Sequence, residues 1–319
     1  MLITIPKIRL ADILNMQGSK NPLKFWSAII IVISFIMVGF NLFLTHRSSY
    51  GVISFSSTEE AKPAYVTKPL ILKIVTYNIQ RRYFHANTRI PALLRILQES
   101  HADIIALQEV KDWFMDIILK QSWVKSQFVD SMKGEVKTPR GQLLLLSKFP
   151  IIRASYLPLM SDTYRTYLLV EIRAYNHPFR IGVVHLDHRL ETGRMRAYQL
   201  DYCFNWLDRA ENAILMGDFN FGDGAEPESS HIRTGFLDMW KVLRPNEAGF
   251  TWNMEENDMS LKKALPNEQS RRLDRIYVNS KLWKPHKIKI IGNKPVSSQA
   301  LNIFPSDHFG LYAELKLNQ

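Results

Sequence analysis

Residues 25–44 read FWSAIIIVISFIMVGFNLFL, twenty positions without a single charge. About twenty apolar residues cover a bilayer as a helix, so this run predicts one transmembrane segment. A cleaved signal peptide is the competing reading, but the run is longer than a usual h-region and no A-x-A-like site follows Leu44. A buried core helix fits less well, because the next stretch, 46–68, is rich in Ser, Thr, Glu, Lys and Pro and reads as a tether. Lys7, Arg9, Lys20 and Lys24 precede the run against Asp12, whereas Arg47 alone follows it before Glu59 and Glu60. The positive-inside rule then keeps the N-terminus in the cytoplasm and puts the remainder in a periplasm, a lumen or the exterior. The expected organisation is a basic cytoplasmic segment 1–24, a transmembrane helix 25–44, a linker 45–68 and one large domain, 69–319.

Composition narrows what that domain can be. Of the 319 residues 46% are hydrophobic and 22% charged, enough apolar material for a large core and too much for a disordered chain. Cys203 is the only cysteine, which excludes an internal disulfide and any multi-thiolate metal site. A metal here must be held by oxygen and imidazole, the donor set of hard divalent cations. The net charge is +11, of which +4 lies in residues 1–68, so the domain itself is only modestly basic. That excess suits an anionic partner but equally describes a solvated surface.

From residue 70 onward short apolar runs alternate with amphipathic stretches. Strands are expected at 70–77, 103–107, 142–147, 166–174, 179–185, 213–216, 273–278, 287–291 and 309–317, and helices at 88–100 and 192–209. Ile90, Leu93, Leu94 and Leu97 share one face of the first helix. This pattern describes an α+β or layered α/β body. Segments 222–230 and 253–270 are polar and read as rim loops.

Several strands end in a polar residue of a kind that phosphoryl chemistry uses: Asn78 in TYNIQ, Glu109 in ALQEV, His185 in VVHLDH, and Asp218 with Asn220 in LMGDFN. Asp274 in RRLDRIYV and Asp307–His308 in FPSDHFG follow. A phosphodiester needs a cation to neutralise oxygen charge, a base for the attacking water and donors to the non-bridging oxygens. Taken singly, each of these residues also suits a turn or a solvated surface. Their order, each beside an apolar strand, favours chemistry.

In that order the chain resembles the endonuclease/exonuclease/phosphatase superfamily of deoxyribonuclease I-like phosphodiesterases, over residues 69–317. The matching elements are Asn78, Gln108–Glu109, His185, Gly217-Asp218-Phe219-Asn220, Asp274 and Ser306-Asp307-His308. GFTWN at 249–253, LDRIYV and FPSDHFGL look most like the tyrosyl-DNA 5′-phosphodiesterase branch. The resemblance implies a four-layered α/β/β/α sandwich with the site at one edge of the paired sheets, and Mg²⁺ or Mn²⁺ as cofactor. It implies that Glu109 coordinates the metal with Asn78 in its water shell or on phosphate, and that Asp307 is a ligand or lies just behind one. Asp218 matches the water-activating aspartate, Asn220 its orienter, His185 and His308 the histidines facing the phosphate, and Asp274 the partner of His308.

Five further residues could meet the substrate. Trp252 would stack on the leaving group or pack on the core, and Arg165 would reach a phosphate or stand in solvent, as would Arg194 and Arg196. His188 stands where the tyrosyl-DNA branch has a small hydroxyl residue, either as an added phosphate donor or as a loop histidine. The expected activity is a membrane-anchored phosphodiesterase with a monomeric catalytic domain, acting on nucleic acid. A sphingomyelinase-like or phosphoinositide-phosphatase-like enzyme acting on phospholipid is the alternative, and an inactive membrane-tethered binding module the second.

Overall fold

The computed structural model describes the backbone of residues 52–54 and the chain over 70–132 and 142–318. The expected transmembrane segment lies outside the described residues; among those described, no helix is long and apolar enough to cross a membrane.

Thirteen strands form two mixed sheets among the described residues. They are β1 (Val52–Ser54), β2 (Ile71–Asn78), β3 (Ile104–Gln108), β4 (Val129–Asp130), β5 (Leu144–Ser147), β6 (Ile151–Pro158), β7 (Thr166–Ala174), β8 (His177–His185), β9 (Asn212–Asp218), β10 (Leu237–Asp238), β11 (Asp274–Ser280), β12 (Trp283–Ile291) and β13 (Gly310–Leu317). One sheet has the order β1-β6-β7-β8-β9-β11-β10 and the other β12-β13-β2-β3-β5-β4. Each contains one parallel pair, β8–β9 and β2–β3. A parallel pair needs a crossover, and both crossovers are the expected helices: α1 (Ala86–Glu99) joins β2 to β3, and the longer helix Gly193–Leu207 joins β8 to β9.

The strand period of two divides the seven-stranded sheet between two cores. Leu168, Val170 and Ile172 of β7, with Ile214 and Met216 of β9, enter the core shared with the six-stranded sheet. Tyr167, Leu169, Ala213 and Leu215 point the other way, onto Leu200, Cys203, Phe204 and Leu207 of the β8–β9 crossover helix. Phe204 is fully buried there, and its truncation to Ala would cost about 3–5 kcal/mol. The inner faces of both sheets therefore pack on each other with helices outside, in agreement with the layered expectation.

The sequence left unread the strands β1 (within the expected linker), β4, β6 and β10, the short helix at Met239–Leu243, and two helices before the second crossover, α2 (Asp112–Ile118) and α3 (Ser122–Gln127). With those two, the crossover helix at 193–207 becomes α4, followed by α5 (Met239–Leu243) and α6 (Asp258–Leu261). The last lies within 253–270, a segment expected to be a loop throughout.

Candidate active site

Strand register places three site residues abreast. His185 at the end of β8 pairs with Asp218 at the end of β9, and Asp218 pairs with Asp274 at the start of β11. Neighbouring strands lie about 4.8 Å apart, so these side chains leave one sheet edge side by side. In the other sheet the parallel register sets Asn78 beside Gln108, with Glu109 one residue further on. Glu109 has a left-handed backbone (φ 63°) and accepts the Arg81 N–H on Oε2 at 2.7 Å. Gly217 explains the glycine of GDFN: its φ is 137°, and a Cβ there would stand 2.0 Å from the Val184 carbonyl oxygen.

Asp218 is the hub. It is fully buried; Oδ2 accepts from Asn78 Nδ2 at 2.9 Å and Oδ1 from the Asn220 N–H at 2.9 Å. The Nε2 atoms of His185 and His308 lie 3.4 and 3.7 Å from Oδ2. His308 Nδ1 hydrogen-bonds Asp274 Oδ2 at 2.8 Å. Asn220 spends its side-chain N–H on the Leu186 carbonyl at 2.9 Å, tying the ends of β8 and β9 together.

The charges follow from these contacts. Burial lowers the pKa of His308, but Asp274 and then Asp218 outweigh it and raise the pKa to about 10. His185 is pushed well below its ordinary value by burial, then by the positive field of Arg165 and by His308, His188 and Arg81. Burial raises Asp218 above the usual carboxylate range against the opposing pull of His308. At neutral pH the site thus pairs a cationic His308 with a neutral His185.

Of the remaining candidates, Trp252 is almost buried with its ring centroid 5.1 Å from that of His308. Arg165 Nη2 lies 3.3 Å from His188 Nδ1, and its Nε is buried without a partner. Burial lowers the Arg165 pKa, while Asp218, Glu109 and Asp187 support its charge. Arg196 is neither a solvated nor a phosphate-facing arginine: it is buried in an ion pair with Glu228 at 2.7 Å. Asp307 follows Ser306 into the site, but its Oδ2 is engaged by Lys263.

Four residues that hold this arrangement escaped the sequence reading. Thr251 Oγ1 accepts the N–H groups of Leu273 and Asp274 at 3.0 and 2.9 Å, and its carbonyl accepts that of Phe309 at 2.7 Å. Arg89, fully buried, donates to the carbonyls of Phe84, Arg82, Ile79 and Pro305 and so joins the loop after β2 to the SDH turn. Asp187 accepts from Thr163 and Gln199, both at 2.8 Å, and Lys263 covers Asp307. The Thr of GFTWN and the Asp of VVHLDH lay inside motifs already singled out; Arg89 and Lys263 carried no local signal.

The donor set fits a divalent ion. Ligand atoms of Asp218, Asp274 and His308 lie within 4.8 Å of one another, and Asp274 Oδ1 is buried without a partner; Asn78 bonds Asp218, and Glu109 follows Gln108, the register partner of Asn78. The carboxylates of Asp218, Asp274 and Glu109 are hard oxygen donors of the kind Mg²⁺ and Mn²⁺ take, whereas a cationic His308 has no lone pair to give.

Fold and site together define a family. The chain belongs to the Endonuclease/Exonuclease/phosphatase family, whose model matches residues 75–308. Among individual relatives, it is 26% identical over 234 residues to a 5'-tyrosyl-DNA phosphodiesterase of Caenorhabditis briggsae, covering 71% of this chain and 63% of that protein. The chain therefore spans less than two thirds of that relative's length. The TDP2 structure from Caenorhabditis elegans superposes with a TM-score of 0.63 at 24% identity, over 77% of this chain and 74% of that one. D. rerio TDP2 complexed with a single-strand DNA product superposes at 0.67 and 18% identity, over 78% and 99%. Staphylococcus aureus beta toxin does so at 0.56 and 18%, over 76% and 99%.

Proposed function

We propose that the chain is a divalent-metal-dependent phosphodiesterase that hydrolyses a phosphate ester in nucleic acid, as a nuclease or 5′-phosphodiesterase. The observation that carries this reading is the buried Asp218 carboxylate between a neutral His185 and a cationic His308. A carboxylate whose proton affinity is raised by burial suits the group that takes a proton from an attacking water. Asn78 and the Asn220 N–H hold its two oxygens, so the accepting lone pair is aimed rather than free to rotate. His308, kept cationic by Asp274, sets positive charge where the phosphoryl oxygens gain negative charge, and His185 adds a hydrogen bond without a charge. Glu109 and Asn78 would hold Mg²⁺ or Mn²⁺, and the bound ion would neutralise phosphoryl oxygens. Trp252, Arg165 and His188 line the approach for the leaving group or a flanking phosphate.

Nucleic acid as the substrate class is supported by the likeness to the 5'-tyrosyl-DNA phosphodiesterase and to a relative solved with a single-strand DNA product. A second reading, a phospholipid phosphodiesterase or phosphatase, draws on Tyr83, Phe84, Met160, Tyr164 and Leu190. These are exposed apolar residues on the loops that follow β2, join β6 to β7 and follow β8. The complete set of site residues speaks against an inactive binding module. In this proposal residues 25–44 anchor a monomeric domain, 69–319, on the side of the membrane away from the cytoplasm.

One panel tests the reading: single- and double-stranded DNA, RNA, 5′-phosphotyrosyl DNA, sphingomyelin and phosphoinositides with Mg²⁺. Cleavage of a nucleic acid, abolished by a chelator and restored by Mg²⁺ or Mn²⁺, is the expected result. Turnover of lipid alone replaces it with the second reading. A reporter fused after Gln319 tests the placement; export would remove chromosomal DNA from the candidate substrates.

A further inference from the structure

Segment 253–270 grips the turn that carries His308. Asn257, which caps α6, donates Nδ2 to the Ser306 carbonyl at 3.0 Å. Ser260 Oγ donates to the Asp307 carbonyl, and Lys263 Nζ pairs with Asp307 Oδ2. Three side chains spaced by three residues lie along one side of a helical turn and its continuation, so a single short element reaches two consecutive residues of the SDH turn. On the far side of the turn, Ser306 Oγ donates to the Asn78 carbonyl at 2.6 Å and the Phe309 N–H to the Thr251 carbonyl. The turn is thereby held from both flanks, with His308 between them.

Asp307 is 5% exposed, and a buried carboxylate without a counter-charge is strongly unfavourable. Burial pushes its pKa up, but Lys263 and then His308 outweigh it and keep the group ionised. Its Oδ1 lies 3.1 Å from the Ser306 hydroxyl and its Oδ2 belongs to Lys263.

We propose that Lys263 is the resident cation of Asp307: this carboxylate ligates no divalent ion, and the Asn257–Ser260–Lys263 clasp uses it to set the turn that aims His308 at Asp218. Lys263 is thus a positioning residue. The inference rests on the reading above in which Glu109 holds the metal.

Mn²⁺ binding to the full chain, followed by calorimetry and by the electron paramagnetic resonance of Mn²⁺, tests it apart from hydrolysis. Wild type and Asp307→Asn should bind Mn²⁺ within about threefold of each other, whereas Glu109→Gln should lose on the order of tenfold or more. Lys263→Met should admit a second, weaker Mn²⁺ at the exposed Asp307 charge and lower kcat by roughly tenfold with KM little changed. Lys263→Arg, which keeps the charge, should recover both. The proposal is overturned if Asp307→Asn weakens Mn²⁺ as much as Glu109→Gln does, or if Lys263→Met changes neither the Mn²⁺ stoichiometry nor kcat. Should Lys263→Met not fold, the double variant Lys263→Met/Asp307→Asn, with both charges gone, should fold and bind Mn²⁺ like wild type; loss of binding there also overturns it. Unchanged Mn²⁺ binding in Glu109→Gln would instead sink the metal assignment, while Asp307→Asn would still report on Asp307.

Discussion

His308 and His185 approach the same oxygen, Asp218 Oδ2, and are buried alike, at 5% and 3% exposed. Yet His308 is raised to about 10 and His185 is driven well below its ordinary value. Burial is common to both and opposes charge in both, so it cannot separate them. The neighbours do: His308 rests on a carboxylate from the start of β11, whereas His185 looks out on Arg165, Arg81 and another imidazole. Two residues of one chemical type become a fixed cation and a neutral hydrogen-bonding group through the sign of what surrounds them.

The largest expected effect removes what the two histidines share. Asp218→Asn should lower kcat by on the order of a hundredfold or more with KM nearly constant, and His308→Ala should do the same. A rise in KM at unchanged turnover would contradict both roles.

Asp274→Asn should erase the difference between the histidines rather than the site. Without that carboxylate His308 loses its chief support, so the alkaline limit of kcat should move to lower pH than in wild type, where His308 is raised to about 10. Stability should move with it. His308 is raised above its ordinary 6.5, so its contribution is complete below pH 6.5 and is lost as pH rises through about 10. His185 is depressed, so its contribution is present above pH 6.5 and is lost as pH falls below it. Urea denaturation from pH 7 to 10 should show a decline in wild type that Asp274→Asn lacks; equal declines in both would mean that Asp274 does not set the His308 charge.

A smaller effect is expected at Thr251→Val, which leaves the N–H groups of Leu273 and Asp274 without their acceptor. A loss of about 1–3 kcal/mol in urea denaturation should follow, with the acid-side behaviour attributed to His185 untouched. The smallest is at His188→Ala. This histidine is exposed and bonded at 3.3 Å to Arg165, so KM should rise a few-fold; damage equal to that of His308→Ala would place His188 among the catalytic groups.

What could be read in advance was what strands make local. A strand that ends in a polar residue shows both its apolar run and its functional end, so Asn78, His185 and Asp218 were legible, and β7 was expected over its observed span, Thr166–Ala174. β6 was not: Ile151 and Ala154–Tyr156 are buried, but Arg153 and Ile152 are exposed and Leu157 and Pro158 half-buried, so neither a clean alternation nor a solid apolar run marks it. Thr251, Arg89 and Lys263 act on residues far away in sequence; Thr251 at least lies inside GFTWN, but nothing in the neighbourhoods of Arg89 and Lys263 distinguishes them from an ordinary helix arginine or surface lysine. Asp187 sat beside His185 in plain view, yet its contacts to Thr163 and Gln199 are set by how two loops meet.

The bond from Asn78 to Asp218 closes 140 positions of chain, and that from Ser306 to the Asn78 carbonyl closes 228. So non-local a set of bonds adds the entropy of bringing distant segments together, and chains rich in such contacts fold slowly. It also makes the centre indivisible. No fragment that omits either Asn78 or His308 can contain it, so expressing the two sheets' halves separately would yield two pieces of apolar core and no active centre. Recovery of activity by mixing such halves would therefore report reassembly of the entire domain rather than repair of a local part.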